Sequence, residues 1–580
     1  MSTFDHSPGS LSGQSLPEPG TDFHTGLISK LVNELYADAP QGAAARNPSG
    51  KGNGHSGLEG VYPSAAPSNV PPVHPSVEPL GQAPGPRGDS SESLQTYAFG
   101  EPHVNDDLLK GRHAADTSLD GHHRTNGGAV PTVDAPAGIK HEDPYAAPDF
   151  YFLPRQEVSA QSNPFDRHSL PSGLALSPFD VEAVRRDFPA LHQKVNGRQL
   201  VWLDNAATTH KPQSVIDATS HYYARDNSNI HRAAHTLAAR STDAFEAGRE
   251  KVRRFVGAAD AKEIVFVRGT TEAINLVAQS YGRANIGPGD EIIVSTIEHH
   301  ANIVPWQLLT QQTGAVLRVA PVNDRGELIL EQFATLLSGR TKIVSITQVA
   351  NSLGTVNPIQ EIIALSHAYG VPVLVDAAQS TPHMPVNVQL LDADFLVFSG
   401  HKVFGPTGIG ALYGKSHLLE AMPPWQGGGH MIKDVTFAKT TYNHAPEKFE
   451  AGTPDIAGVV GLGAAVDYLL GIGLPAISAY EHELLEYATP AIQEIPGLRI
   501  IGNAAHKASV LSFVIDGHDP EKIGVHLDKY GIAARAGHHC AQPALRRFGV
   551  EKTVRASLAF YNTREEVDLL VHALRALPKK

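Results

Sequence analysis

The pattern of apolar and polar positions changes at about residue 177. Before that point one apolar stripe has a clear period, Leu27, Ile28, Leu31, Val32 and Leu35, which share one helical face. Two aromatic islands, residues 97–99 and Tyr145 with Phe150, Tyr151 and Phe152, stand in proline-punctuated sequence. From Ser177-Pro178-Phe179-Asp180, a helix-start signal followed by amphipathic Val181, Val184 and Phe188, short β-branched runs alternate with helix-length periodic segments. The runs at 263–267, 291–295, 316–319, 342–347, 372–375, 394–398 and 410–413 predict about seven strands. Their unbroken apolar character predicts a mostly parallel sheet covered on both faces, an α/β fold. Beyond Ile456 a long helix, a strand at 510–515 and a helical 563–577 predict a smaller α+β domain, which the segment 177–200 is expected to join.

Composition sharpens this division. Of 580 residues, the first 175 hold 21 of the 42 prolines, 20 of the 53 glycines, and 20 acidic against 10 basic side chains. Such a stretch buries too little apolar surface to offset an ordering cost of roughly 1–2 kcal/mol per residue. Residues 1–176 are therefore expected to be a disordered acidic extension whose stripe and islands order on a partner. A large domain at 177–455 and a small one at 456–580 follow it. A net charge of −13 without a basic block argues against holding nucleic acid or an anionic membrane by charge. The most apolar stretch, 457–474, contains Asp467 and five glycines, which suits a packed helix and not a bilayer span. The N-terminus lacks a secretory signal pattern, so a soluble, cytoplasmic protein is expected. Cys540 is the only cysteine, which excludes an intramolecular disulfide and any multi-cysteine metal site, and no metal is expected.

Ligands of open α/β sheets sit at the carboxyl ends of the strands. Those exits carry Arg268-Gly-Thr270-Thr271-Glu272, Glu298-His299-His300-Ala-Asn302, Asn351, Asp376-Ala-Ala-Gln379 and Ser399-Gly-His401-Lys402. Gly-Thr-Thr opening a helix is a phosphate seat, because amides and hydroxyls converge on the positive helix end. A carboxylate leaving an apolar strand needs a cation or a protonated ring nitrogen. A lysine at an apolar strand end is placed to lose its proton and act as an amine nucleophile. Together the three describe a pyridoxal phosphate site. The competing phosphate reading, a P-loop, fails because Gly405-Pro-Thr-Gly-Ile-Gly410 lacks a following Gly-Lys-Ser/Thr.

With these residues in place, the chain from 177 resembles the group II (SUF-type) cysteine desulfurases of the fold-type I pyridoxal phosphate family. The motifs that carry the resemblance run almost end to end. They include Leu203-Asp-Asn-Ala-Ala207, His231-Arg-Ala-Ala-His235-Thr236, Glu298-His-His-Ala-Asn-Ile-Val-Pro-Trp306, Phe449-Glu-Ala-Gly-Thr453-Pro454, Arg535-Ala-Gly-His-His-Cys540-Ala541 and Arg555-Ala-Ser-Leu-Ala-Phe-Tyr-Asn-Thr563. The resemblance implies that Lys402 forms the Schiff base and Asp376 pairs with the pyridinium nitrogen. Gln379 bonds the ring hydroxyl, and His299 stacks on the ring while His300 is structural. Thr270, Thr271, Ser399 and His401 hold the phosphate, joined by Thr453 of a neighbouring subunit in a homodimer. Arg555 and Asn351, with Arg535 and His235 nearby, take the carboxylate of L-cysteine. Cys540 receives the sulfur as a persulfide and passes it to an acceptor protein or a thiol reductant. Its position after His538-His539 and Arg535 is expected to be electropositive, a setting that favours thiolate.

The same motifs leave a selenocysteine lyase or another fold-type I lyase open, and, from a different class, a non-catalytic dimeric scaffold. The long extension resembles that of desulfurases packaged as cargo in family 2 encapsulin shells. This implies that 1–176 tethers the enzyme inside such a compartment.

Overall fold

The computed structural model describes residues 179–230 and 234–578. The extension with its stripe and aromatic islands, and positions 231–233 of the motif at 231–236, lie outside the described residues. At the predicted start, Asp180 caps the helix Val181–Arg186 by accepting from the Ala183 N–H at 2.9 Å.

Seven strands form the main sheet: β1 Ile264–Val267, β2 Glu291–Ser295, β3 Val316–Ala320, β4 Thr341–Thr347, β5 Val373–Asp376, β6 Phe395–Ser399 and β7 Gly410–Gly414. They lie in the order β1-β7-β6-β5-β4-β2-β3. Strands β2 to β6 run parallel, whereas β7 is antiparallel to both β1 and β6. Because β7 runs backwards, its first residue, Gly410, sits across from Val267 and Ser399, the last residues of its two neighbours. A Cβ at Gly410 would stand 2.6 Å from the Gly269 Cα. Glycine there lets the turn after β1 approach the end of β6, and that approach builds one end of the site described below.

Both faces of the sheet are covered. One face packs Phe266, Val344 and Phe398 against Phe245 and Val252 of α1 (Thr236–Val256) and Val459, Leu462 and Val466 of α3 (Ile456–Ile472). The other face packs Val265, Ile292 and Leu412 against α2 (Thr270–Val277) and against Trp306 and Leu309. Sequence places the small domain from residue 456, yet α3 is apolar on nearly every side and belongs to the first core. The change of core falls within α4 (Leu474–Gln493), where Ile477 lies in the first and Leu484 in the second. That second core surrounds an antiparallel sheet of β8 (Leu498–Ile501), β9 (Val510–Ile515), β10 (Arg535–Gly537) and β11 (Thr553–Ser557), in the order β8-β9-β11-β10. Val201–Trp202 pairs with Ile532–Ala533, joining the early chain to this domain. Among the described residues no single helix is long and apolar enough to cross a membrane.

Candidate active site

The exits of β4, β5 and β6 and the start of α2 open on one cavity of about 210 Å³. At the β1–α2 turn, Gly269 adopts φ +152° and gives the positive end of α2 no side-chain cap. Ser399 Oγ accepts from the Thr270 N–H at 2.9 Å and shares a hydrogen bond with Thr270 Oγ1 at 2.9 Å. Lys402 ends the short turn Gly400–Lys402 that follows β6, and His401 Nδ1 meets Thr208 Oγ1 at 3.1 Å. Asp376, the last residue of β5, is buried and accepts from the Ala378 N–H at 3.0 Å. Gln379 donates its amide to the Ala206 carbonyl.

His299 caps the turn His300–Asn302, its Nδ1 accepting from the Ala301 N–H at 3.0 Å, which leaves the ring proton on Nε2. Beneath it the buried Glu298 accepts from Asn302 Nδ2 at 2.7 Å and the Thr347 N–H at 2.9 Å, tying this turn to β4. Burial pushes the Glu298 carboxyl up to about 7.

The small domain supplies the opposite wall. Arg555, on β11, donates to Asp204 Oδ1 at 2.9 Å and to the Asn351 carbonyl at 3.1 Å. Asp204 also lies 3.8 Å from Arg535, so one carboxylate braces both arginines. Asn351 Nδ2 donates to the His539 carbonyl at 2.8 Å. Cys540 follows on the same loop.

Electrostatics divide the residues further. Burial holds the Lys402 amine down to about 8; Arg555 and Arg535 push the same way, while Asp376 and Cys540 oppose them. Burial raises the Asp376 carboxyl, against the Ala378 amide and Lys402. Burial lowers His299 to about 3, His401 to about 4 and His539 to about 3, with nearby cations adding to each, so all three rings are neutral at pH 7. This corrects one expectation: His539 adds no positive charge beside Cys540. The cations that face the thiol are Lys402 and Arg555. Burial disfavours the charged imidazole, and the nearby Arg555 and Arg535 add to that effect.

Of the residues named from sequence, Thr270, Thr271, His299, Asn351, Asp376, Gln379, Ser399, His401, Lys402, Arg535, Cys540 and Arg555 all line the cavity. Two do not. His235 caps α1, accepting from the Ala238 N–H at 3.2 Å. Thr453 accepts from Asn229 Nδ2 at 3.3 Å and lines a separate groove of about 400 Å³ with Arg268, Glu272 and Trp425. Roles for Asp204, Ala206 and Glu298 were not assigned in advance. Asp204 and Ala206 fall within the Leu203–Ala207 motif and Glu298 opens the Glu298–Trp306 motif, and these motifs were the available signal.

The cavity fits pyridoxal phosphate by the chemistry of its groups. Threonine and serine donors at a helix N-terminus suit the phosphate, and a buried carboxyl suits a ring N–H. A lysine that loses its proton near neutral pH suits the aldehyde. Asn351 Oδ1 and Arg555 Nε are buried without partners, on residues that face the same space. Unmet donors and acceptors of this kind suit the carboxylate and ammonium of an amino acid.

Comparison with known proteins agrees. Residues 201–570 match the family model described as aminotransferase class-V. The chain is 58% identical to the cysteine desulfurase of Synechococcus elongatus over 77% of its length and 74% of that protein's. That share exceeds the stretch from 179 to the C-terminus, so the match reaches into the extension. It is 52% identical to the cysteine desulfurase of Dickeya dadantii, covering 69% of this chain and 97% of that one. Among solved structures, the cysteine desulfurase CsdA from Escherichia coli superimposes with a TM-score of 0.64 at 44% identity, covering 68% of this chain and 98% of the other.

Proposed function

The chain belongs to the aminotransferase class-V family and is a cysteine desulfurase dependent on pyridoxal phosphate, and we propose that it converts L-cysteine to L-alanine with the sulfur held on Cys540 as a persulfide. The observation that carries this is the convergence of Lys402, Asp376, Arg555 and a single thiol on one cavity. When bound, the cofactor supplies an electron sink for the substrate's Cα.

The protein's own residues do the rest. Arg555, braced by Asp204, grips the substrate carboxylate together with Asn351. The Lys402 amine, neutral in a useful fraction near pH 7, takes the Cα proton. Asp376 would hold the ring nitrogen, and Thr270, Thr271, Ser399 and His401 would hold the phosphate. Neutral His299, at β2's exit with its proton on Nε2, would be the residue that packs on the cofactor ring. Cys540 thiolate then attacks the substrate sulfur. An S–S bond forms as the substrate's Cβ–S bond breaks, the electron pair of that bond takes a proton at Cβ, Lys402 returns a proton to Cα, and alanine leaves. The persulfide must pass to an acceptor protein or a thiol reductant before the next turnover.

The short loop from Arg535 to Ala541 supports reading the chain as a group II enzyme. A homodimer brings Thr453 from a second copy to the outer side of the phosphate seat; its groove shares Arg268 and Glu272 with that turn. Residues 1–176 load the enzyme into an encapsulin shell in the cytoplasm, a reading supported by their length and their acidic, proline-rich composition.

Cys540→Ser tests the sulfur step. The variant keeps the cofactor's yellow absorbance and loses sulfide release; persisting desulfuration overturns the assignment. Co-expression of shell protein with the full chain and with 177–580 tests loading, which equal co-sedimentation would exclude.

A further inference from the structure

The Cys540 loop is held in a backbone conformation that its sequence does not favour. His539 and Cys540 are consecutive non-glycine residues, each at φ +53°. Left-handed residues without glycine persist where their surroundings over-determine them. Part of the restraint travels with the loop itself: the Ala541 N–H donates to the His538 carbonyl at 2.9 Å, and the Cys540 N–H to His538 Nδ1 at 3.2 Å. The rest comes from the large domain. Asn351 holds the His539 carbonyl and also belongs to the substrate grip. His300 does not line the cavity, yet it bonds the loop on both sides of the thiol. Its backbone N–H donates to the Cys540 carbonyl at 2.7 Å, and its ring Nε2, the bond that a side-chain substitution removes, accepts from the Gln542 N–H at 3.1 Å. Its ring also lies nearly parallel to that of His538, with centroids 5.9 Å apart and planes 29° from parallel.

We infer that His300 is a positioning residue that acts as the catch of the sulfur-carrying loop. With its ring acceptor engaged, Cys540 faces Lys402 and Arg555. With the ring acceptor lost, the strained pair relaxes and the thiol turns outward, where an acceptor can reach it. Accepting from Gln542 requires a neutral ring with its proton on Nδ1, and burial together with the neighbouring His538 keeps His300 below its ordinary value. The inference rests on Cys540 being the sulfur carrier, which gives the outward position its purpose.

The chain's only cysteine makes the test direct. In the full-length holoenzyme, iodoacetamide labelling followed by intact mass reports this loop alone. His300→Ala should speed alkylation of Cys540 about tenfold, equivalent to about 1.4 kcal/mol. Hydrogen exchange at Cys540, Ala541 and Gln542 should rise with it. His300→Gln, which returns a carbonyl acceptor, should restore most of the protection. Retained cofactor absorbance shows that the fold is intact. If His300→Ala does not fold, His538→Ala removes the stacked ring and the Cys540 N–H acceptor, and should act in the same direction. Equal alkylation rates in wild type and the folded variant overturn the catch. Mass analysis of the wild type after L-cysteine separates the underlying reading: faster alkylation in the variant with no persulfide in the wild type removes the sulfur role and leaves the catch standing.

Discussion

The two walls of the cavity are built differently. Lys402 and Asp376 leave adjacent strands that are buried on both faces and paired in register, Asp376 lying opposite Val397 of β6. Cys540 sits in an irregular turn between β10 and a short helix, held by side-chain and cross-domain bonds. The difference matches two chemical tasks. Proton transfer at a carbon needs a fixed geometry, and packed strands supply it. A sulfur carrier must meet first a substrate and then an acceptor, and a loop can serve both.

Removing the fixed wall's nucleophile gives the largest expected effect. Lys402→Ala should lower desulfuration by about 1,000-fold or more, in the upper range for loss of a positioned acid–base group. Borohydride should no longer fix the cofactor to the chain. Residual turnover above about 1% would place the proton transfer on another group and break the assignment of roles to the two walls.

Next in size is the joint between the walls. Arg555→Lys removes a planar fork that is braced by Asp204 and leaves a point charge in its place. KM for L-cysteine should rise about 10–100-fold, the cost of one or two charge-assisted hydrogen bonds, while cofactor absorbance stays the same. A fall in kcat with KM unchanged would move Arg555 from substrate binding to the reaction step.

The fixed wall was the legible one. The seven apolar runs predict the observed strands to within one residue at each end, and reading the strand exits brings together nine residues that do line the cavity, to which the motifs at 535–541 and 555–563 add Arg535, Cys540 and Arg555. The reversed direction of β7 was not legible, because an apolar run has the same pattern in either direction. Gly410 becomes informative only once its close approach to Gly269 is seen. The role of α3 was hidden for a related reason. A helix apolar on all sides announces burial without naming the core that buries it. On the movable wall, Cys540 is visible as a lone cysteine, but the neutrality of His539 is not. It comes chiefly from burial in the folded loop, and Arg555, which is close in space and distant in sequence, adds to it. Thr453 and His235 carry family motifs yet lie off the cavity of a single chain, which sequence cannot separate from residues that line it.

The smallest effect asks whether the two walls sense each other electrically. Lys402 in the fold releases its proton at about 8, against 10.5 for a free lysine, chiefly through burial. Between these values the unfolded chain binds more protons than the folded one, so the contribution of Lys402 to stability rises with pH across that window. The amine that captures the cofactor aldehyde is the neutral form. Capture of pyridoxal phosphate by cofactor-free protein, followed by absorbance, should therefore speed up about tenfold per pH unit below the midpoint and level off above about 8. Asp376 and Cys540 both hold that midpoint up, Asp376 more strongly. Asp376→Asn should move it to lower pH, and Cys540→Ser should move it the same way by less. A midpoint that shifts with Asp376 and ignores Cys540 would mean that the thiol stands too far from the amine to be felt before substrate binds, and the loop would then have to close on the substrate to do its work.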